Sequence, residues 1–230
     1  MVKRAIVMAI SVILALAVAA PIASGQAANQ GKDLKELTEA WWTWALAVPS
    51  PMQGDYPSSD PRCEGEFVEG VFFLAGTSPL VQPEGDATRS CTVPADTALF
   101  FPAINAFCTE DEPDYPQCAR HPVNTALANG ETFATLDGED LKIRRLATGP
   151  FTLILPEDNI FDCLGPPQCD TPVDLAGGPY EHRAISDGLW VYLPQGLEPR
   201  EDPYTLQFGG TSVAFGEPFS VNVTYELTVV

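Results

Sequence analysis

The sequence predicts a mainly β protein with one helix near its start, and three observations carry that reading. Ala98, Leu99, Phe100 and Phe101 run without alternation up to Pro102, as a strand covered on both faces does. Phe219, Val221, Val223, Tyr225, Leu227 and Val229 alternate with Ser220, Asn222, Thr224, Glu226 and Thr228, which marks a long strand with one dry face and one wet face. Between such runs, 22 prolines and 18 glycines punctuate the chain as turns do.

The elements follow in chain order. Lys3 and Arg4 precede an apolar run from Ala5 to Ala20, Pro21 ends it, and small residues follow at Ala23-Ser24-Gly25. That order is the layout of a secretory signal peptide, cleaved after Gly25 or within the next three residues. The run is short of the roughly 20 apolar residues that span a bilayer, and no second one exists. We therefore expect a signal peptide over residues 1–25 and one mature domain over 26–230, secreted or periplasmic, with no membrane span.

Asp33 and Glu36 have the spacing of a capping box, and Leu34, Leu37, Trp41, Trp44, Ala45 and Val48 share one helical face. Pro49 stops this helix. Trp42 falls off the face, so it either packs under a loop or faces a ligand. Phe67 to Ala75 reads as the first strand, with Gly70 as a bulge or a point of close approach. Thr88–Val93 and Thr97–Ala103 are the next strands, Asn105–His121 an acidic loop, and Pro122–Ala128 a short helix opened by its proline. Thr132–Leu136 and Leu141–Leu146 pair through Asp137-Gly138, and Phe151–Leu155 adds a strand. Glu157–Glu181 is long and irregular. Ala184–Leu193 supplies one or two strands around Asp187-Gly188, and Tyr204–Phe208 leads into a turn at Gly209-Gly210. About eight strands with one leading helix indicate an antiparallel β-sandwich of jelly-roll or immunoglobulin-like type.

Six cysteines, Cys63, Cys91, Cys108, Cys118, Cys163 and Cys169, all lie after the cleavage region. An even number in an exported chain reads as three disulfides. Short loops favour Cys108–Cys118 and Cys163–Cys169, which leaves Cys63–Cys91, and each would stabilise the fold by roughly 3 kcal/mol. No CxxC pair is present and neither histidine stands at ligand spacing from a cysteine, which argues against a zinc site. Without Lys3 and Arg4 the 12 basic residues become ten against 31 acidic ones, a formal charge of −21. Such a surface repels nucleic acid and anionic lipid. It serves solubility in a salty or extracellular medium, or it serves divalent cations.

Glu110, Asp111, Glu112 and Asp114 form the densest carboxylate group and the candidate calcium site, since calcium takes six to eight hard oxygen ligands. They lack the DxDxDG register. Arg89 pairs with a carboxylate or points into an anion-binding cleft. Trp42 and Trp190, with Tyr56 and Tyr180, are the residues able to stack on sugar rings. No GxSxG elbow occurs, and His121 and His182 are the only available bases, so nucleophilic catalysis finds no partners. Asn222-Val223-Thr224 matches a glycosylation sequon inside the last strand.

Several segments taken together resemble a family of uncharacterised exported prokaryotic proteins. They are WWTW (Trp41–Trp44), VFFLAGT (Val71–Thr77), RSCTVPADTALFFPAIN (Arg89–Asn105), SDGLWVYL (Ser186–Leu193) and FSVNVTYELTV (Phe219–Val229). The resemblance spans nearly the whole mature chain and implies one exported domain. It carries no activity and so no catalytic residues. The expectation is an exported, non-catalytic binding or structural module for a glycan or another cell-surface ligand. A secreted, glycosidase-like hydrolase using paired carboxylates is the alternative.

Overall fold

A computed structural model describes residues 33–47, 67–68, 70–77, 85–112, 114–157, 159, 181–214 and 216–230. The signal segment, Cys63, Cys163 and Cys169 lie outside them, as do Tyr56 and Tyr180. Among the described residues no helix is long and apolar enough to cross a membrane.

In chain order the elements are α1 (Leu34–Leu46), β1 (Phe67–Val68), β2 (Val71–Phe73), β3 (Asp86–Val93), β4 (Ala98–Thr109) and α2 (Gln117–Asn129). Then come β5 (Phe133–Leu136), β6 (Glu139–Asp140), β7 (Ile143–Ala147), β8 (Phe151–Ile154), β9 (Glu181–Leu193), β10 (Tyr204–Ala214) and β11 (Glu217–Val229). One sheet runs β1-β2-β4-β9-β7, with β8 continuing β7's edge along β9; the other runs β3-β11-β10-β5-β6. The β-rich, two-sheet architecture with a leading helix is the one the sequence predicts. Most neighbours are antiparallel, but β2–β4 and β3–β11 pair in parallel, so both sheets are mixed.

The doubly covered strand explains the layering. On β4, Leu99 and Phe101 pack with Phe208, Val223 and Tyr225 of the second sheet, while Ala98 and Phe100 pack with α1. Three layers result: helix α1, the β4/β9 sheet, and the β10/β11 sheet. Helix α1 begins where Asp33 accepts a hydrogen bond from the Lys35 N–H at 2.9 Å. Its buried face is wider than one stripe, because Trp41, Trp42 and Trp44 all point into the sheet. Burying three indoles removes on the order of 500 Å² from water, which is what fastens a 13-residue helix that could not stand alone.

Several local expectations are corrected. Phe67–Ala75 is not one strand: β1 and β2 form a hairpin that reverses at Gly70, whose φ of 80° suits a turn. The expected loop from Asn105 is strand through Thr109, and α2 begins at Gln117, five residues before Pro122. No side chain caps its start; the Asp114 carbonyl accepts from the Gln117 N–H at 2.6 Å, and the Cys108–Cys118 disulfide holds the first turn on β4. Gly130 ends it in the left-handed region, with φ 68°. The Asp137-Gly138 turn forms, but only β6 returns beside β5; β7 crosses to pair with β9. Gly209-Gly210 is not a turn, because β10 runs straight through it, and the one or two strands expected around Asp187-Gly188 are a single one, β9.

Candidate functional site

The residues singled out from sequence fall in three places. Trp42 and Trp190 come together, joined by Trp41 at ring distances of 5.1 and 5.3 Å. Trp190 also stacks on Phe100 at 4.8 Å, and Trp42 lies 4.7 Å from Phe107. Their exposures are 8% for Trp42 and 1% for Trp190, so neither offers a ring face to a sugar in solution. The sugar-stacking role expected of them is therefore corrected: apolar burial between helix and sheet outweighs exposure.

Arg89 lies on the inner face of β3 and is buried. Its guanidinium donates to the carbonyls of Ala75 and Gly76 and, at 2.7 Å, to the Tyr225 hydroxyl. That hydroxyl donates in turn to the Ala75 carbonyl at 2.9 Å. Here Arg89 ties the exit of β2 to the second sheet, a cross-layer clamp.

Of the acidic group, Glu110, Asp111 and Asp114 are exposed and Glu112 is half-buried. Glu112 turns back to accept from the Thr109 N–H at 3.2 Å, and burial pushes its carboxyl above the usual range. Asp111 points elsewhere, with its carboxylate 3.9 Å from His182 Nδ1. Among the described residues the one group with three ligand atoms within 4.8 Å is Cys108, Glu112 and Cys118, and both sulfurs are in a disulfide. The four carboxylates do not gather around one point. Cys91 is also disulfide-bonded, and no described cysteine is free.

One buried carboxylate was missed. Asp187, 2% exposed on its side chain, takes both an Nε and an Nη of Arg145 and the N–H of Gly188. Alternation along Ala184–Trp190 is masked because β9 is covered on both faces, so nothing in the pattern could have marked Asp187 as inward.

The outer face of the five-stranded sheet is the surface with ordered, outward chemistry. Register places Thr88, Thr224, Gln207, Thr135 and Asp140 in one row, one residue from each strand. Asp86, Asn222, Gly209 and Phe133 form the adjacent row. Rows lie about 7 Å apart along the strands and neighbours about 4.8 Å apart across them. Side chains are pre-set: Asn222 Nδ2 donates to Asp86 at 3.1 Å, Gln207 Nε2 to Thr224 at 3.4 Å, and Thr205 to Glu226 at 3.2 Å. Phe133, 36% exposed, stands in this face opposite a glycine. A Cβ on Gly209 would collide with the Val221 carbonyl, so this position beside the ring stays bare. Phe133 was legible only as one strand residue among others, since its short strand does not show which face is wet.

The fold and this face define a three-layer β protein with an aromatic-bearing polar sheet surface. No protein-family model, curated protein or solved structure matches the chain significantly.

Proposed function

We propose that the chain is an exported, non-catalytic module that binds a neutral glycan on the outer face of the five-stranded sheet. The observation that carries the reading is Phe133 beside Gly209, in a row with Asn222 and Asp86 and next to Thr135, Gln207 and Thr224. A sugar ring needs an apolar platform for its C–H face and planar amide or carboxylate groups for its hydroxyls; this face has both. The net charge of −19 favours a neutral polymer over an anionic one. Export is supported by the signal-like N-terminus and by a formed disulfide at Cys108–Cys118.

Binding of the mature protein to a glycan array, and its loss of about tenfold or more in Phe133→Ala, is the expected result. Phe133 is 36% exposed, so the melting temperature of the variant beside the parent's separates lost binding from lost fold. No binding to any neutral glycan, or binding indifferent to Phe133, removes the reading. A hydrolase would use Glu112 as its acid, because burial lifts it and Asp114 adds to the lift. Release of reducing ends that disappears in Glu112→Gln would establish that alternative.

A further inference from the structure

Short strands and outward charges keep the edges of a sheet from pairing with other chains. Most edges here carry those devices. β1 and β6 are two residues long, and both residues of β6, Glu139 and Asp140, are exposed acids. β7 and β8 are five and four residues long, and Arg144 and Arg145 put charge on that edge. β3 has neither device. It runs eight residues in unbroken parallel register with β11, with no proline and, beyond Asp86, no exposed charge. Its other charge, Arg89, is turned inward and donates to Ala75, Gly76 and Tyr225.

The backbone of this edge is open. The Asn222 N–H donates to the Gly85 carbonyl and the Val230 N–H to the Val93 carbonyl, both at 3.0 Å, so the odd-numbered residues of β3 bond β11. Alternate residues of a strand address opposite neighbours, so Thr88, Ser90 and Thr92 turn their N–H and C=O groups the other way. Among the described residues no strand meets them there, and all three are exposed. On the inner face Ala87, Arg89, Cys91 and Val93 are already buried. Peptide capture on a sheet edge draws its specificity from pockets between such side chains, and a filled inner face leaves a visiting peptide none. A second β3 needs none, because its inner side chains are covered within its own subunit.

We propose that β3 is the contact of a symmetric homodimer, in which the edges of two copies pair antiparallel about a twofold axis at Ser90. Ser90 then faces its own copy and Thr88 faces Thr92, each pair exchanging two backbone hydrogen bonds while small hydroxyl side chains meet on the outer face. The same axis sets Asp86 opposite Pro94, so no two carboxylates face each other, and pairing stops where Pro94 has no N–H to give. The two five-stranded sheets become one continuous sheet, whatever their outer face binds. An edge pair buries little area, which places this dimer in the weak, reversible class. Each copy carries a formal charge of −19, so salt favours association by screening their repulsion.

The test is sedimentation of the disulfide-intact mature chain over about 1–500 µM, in sodium chloride at about 0.05 and 0.5 M. A reversible monomer–dimer equilibrium that tightens with salt is expected. Ser90→Lys and Ser90→Glu each weaken it by about tenfold or more, because like charges then meet on the axis, and an equimolar mixture of the two restores dimers. Ser90→Pro removes an N–H that β11 does not use and leaves a monomer. Should that variant fail to fold, the two charge variants, made at an exposed position, decide alone. A monomer at every concentration overturns the proposal and leaves the edge to a strand from another protein. A dimer indifferent to both charge variants also overturns it, by placing the contact on another surface, and so does a mixture no tighter than its components.

Discussion

Glu112 and Asp137 show how two carboxyls on one chain are pushed in opposite directions. Burial lifts Glu112 above 4.5, opposed by the hydrogen bond from the Thr109 N–H and aided by Asp114. Its folded form holds the proton more tightly than the unfolded chain does, so ionisation removes stability as pH rises through the window above 4.5. Glu112→Gln keeps the size and the acceptor for Thr109 but removes the charge. We expect its melting temperature to exceed the parent's by on the order of 1–3 °C at pH 7 and to match it below about pH 4, read by calorimetry at both pH values. Asp137 moves the other way, because hydrogen bonds from Arg200 at 2.6 and 3.0 Å hold it below its ordinary range. Its contribution is present at neutral pH and is lost as pH falls through the lowered value. That pair is exposed, so solvent screens it and little depends on it. In the other pair Arg145 is 39% exposed but Asp187 only 2%, so removing Arg145 there strands a buried carboxylate.

At the scale of elements, the glycines decide what alternation alone could not. Gly209 and Gly210 look like a turn in sequence, yet β10 passes through them to Ala214 in register with β11. Space, not flexibility, fixes Gly209: an added Cβ would meet the Val221 carbonyl. Gly209→Ala is expected to cost about 1–3 kcal/mol in urea denaturation, the range for forced overpacking. Gly149→Ala, where a Cβ meets open space, is the control and moves the midpoint little. An equal effect at both positions would show that chain entropy and not the β10–β11 contact governs. The same glycines show where the sequence was readable. Strand β11 was legible because one of its faces is wet and period two survives; β4 was legible because four apolar residues in a row need two covers. Whether Ala184–Leu193 holds one strand or two stays open in sequence, because β9 is also doubly covered but carries Asp187 and Gly188 at its centre, residues that mark turns when nothing buries them. The start of α2 was hidden for a different reason: a disulfide and a carbonyl, not a capping side chain, begin it.

Across the whole molecule, α2 is the piece whose attachment is least like the rest. Helix α1 is held by a wall of indoles, and the two sheets by Phe101, Phe208, Val223 and Tyr225 between them. Helix α2 buries only Ala119, Val123 and Ala126, small side chains that contribute little area each. It gains three further ties: the Ser212 hydroxyl donates to the Pro122 carbonyl at 2.7 Å, Asn129 Nδ2 donates to the Thr211 hydroxyl at 3.1 Å, and Cys118 is bonded to Cys108 on β4. The disulfide closes a sequence separation of 10, for which chain-entropy estimates give about 2–3 kcal/mol. Replacing Cys108 and Cys118 by alanine is therefore expected to lower stability by that amount and, more tellingly, to do so unevenly. Amide exchange should accelerate over Gln117–Asn129 while β4, β9, β10 and β11 keep their protection, because their contacts do not pass through α2's first turn. Exchange that rises uniformly over both sheets would mean that α2 is integral to the β core, and that the layers described here do not hold without it.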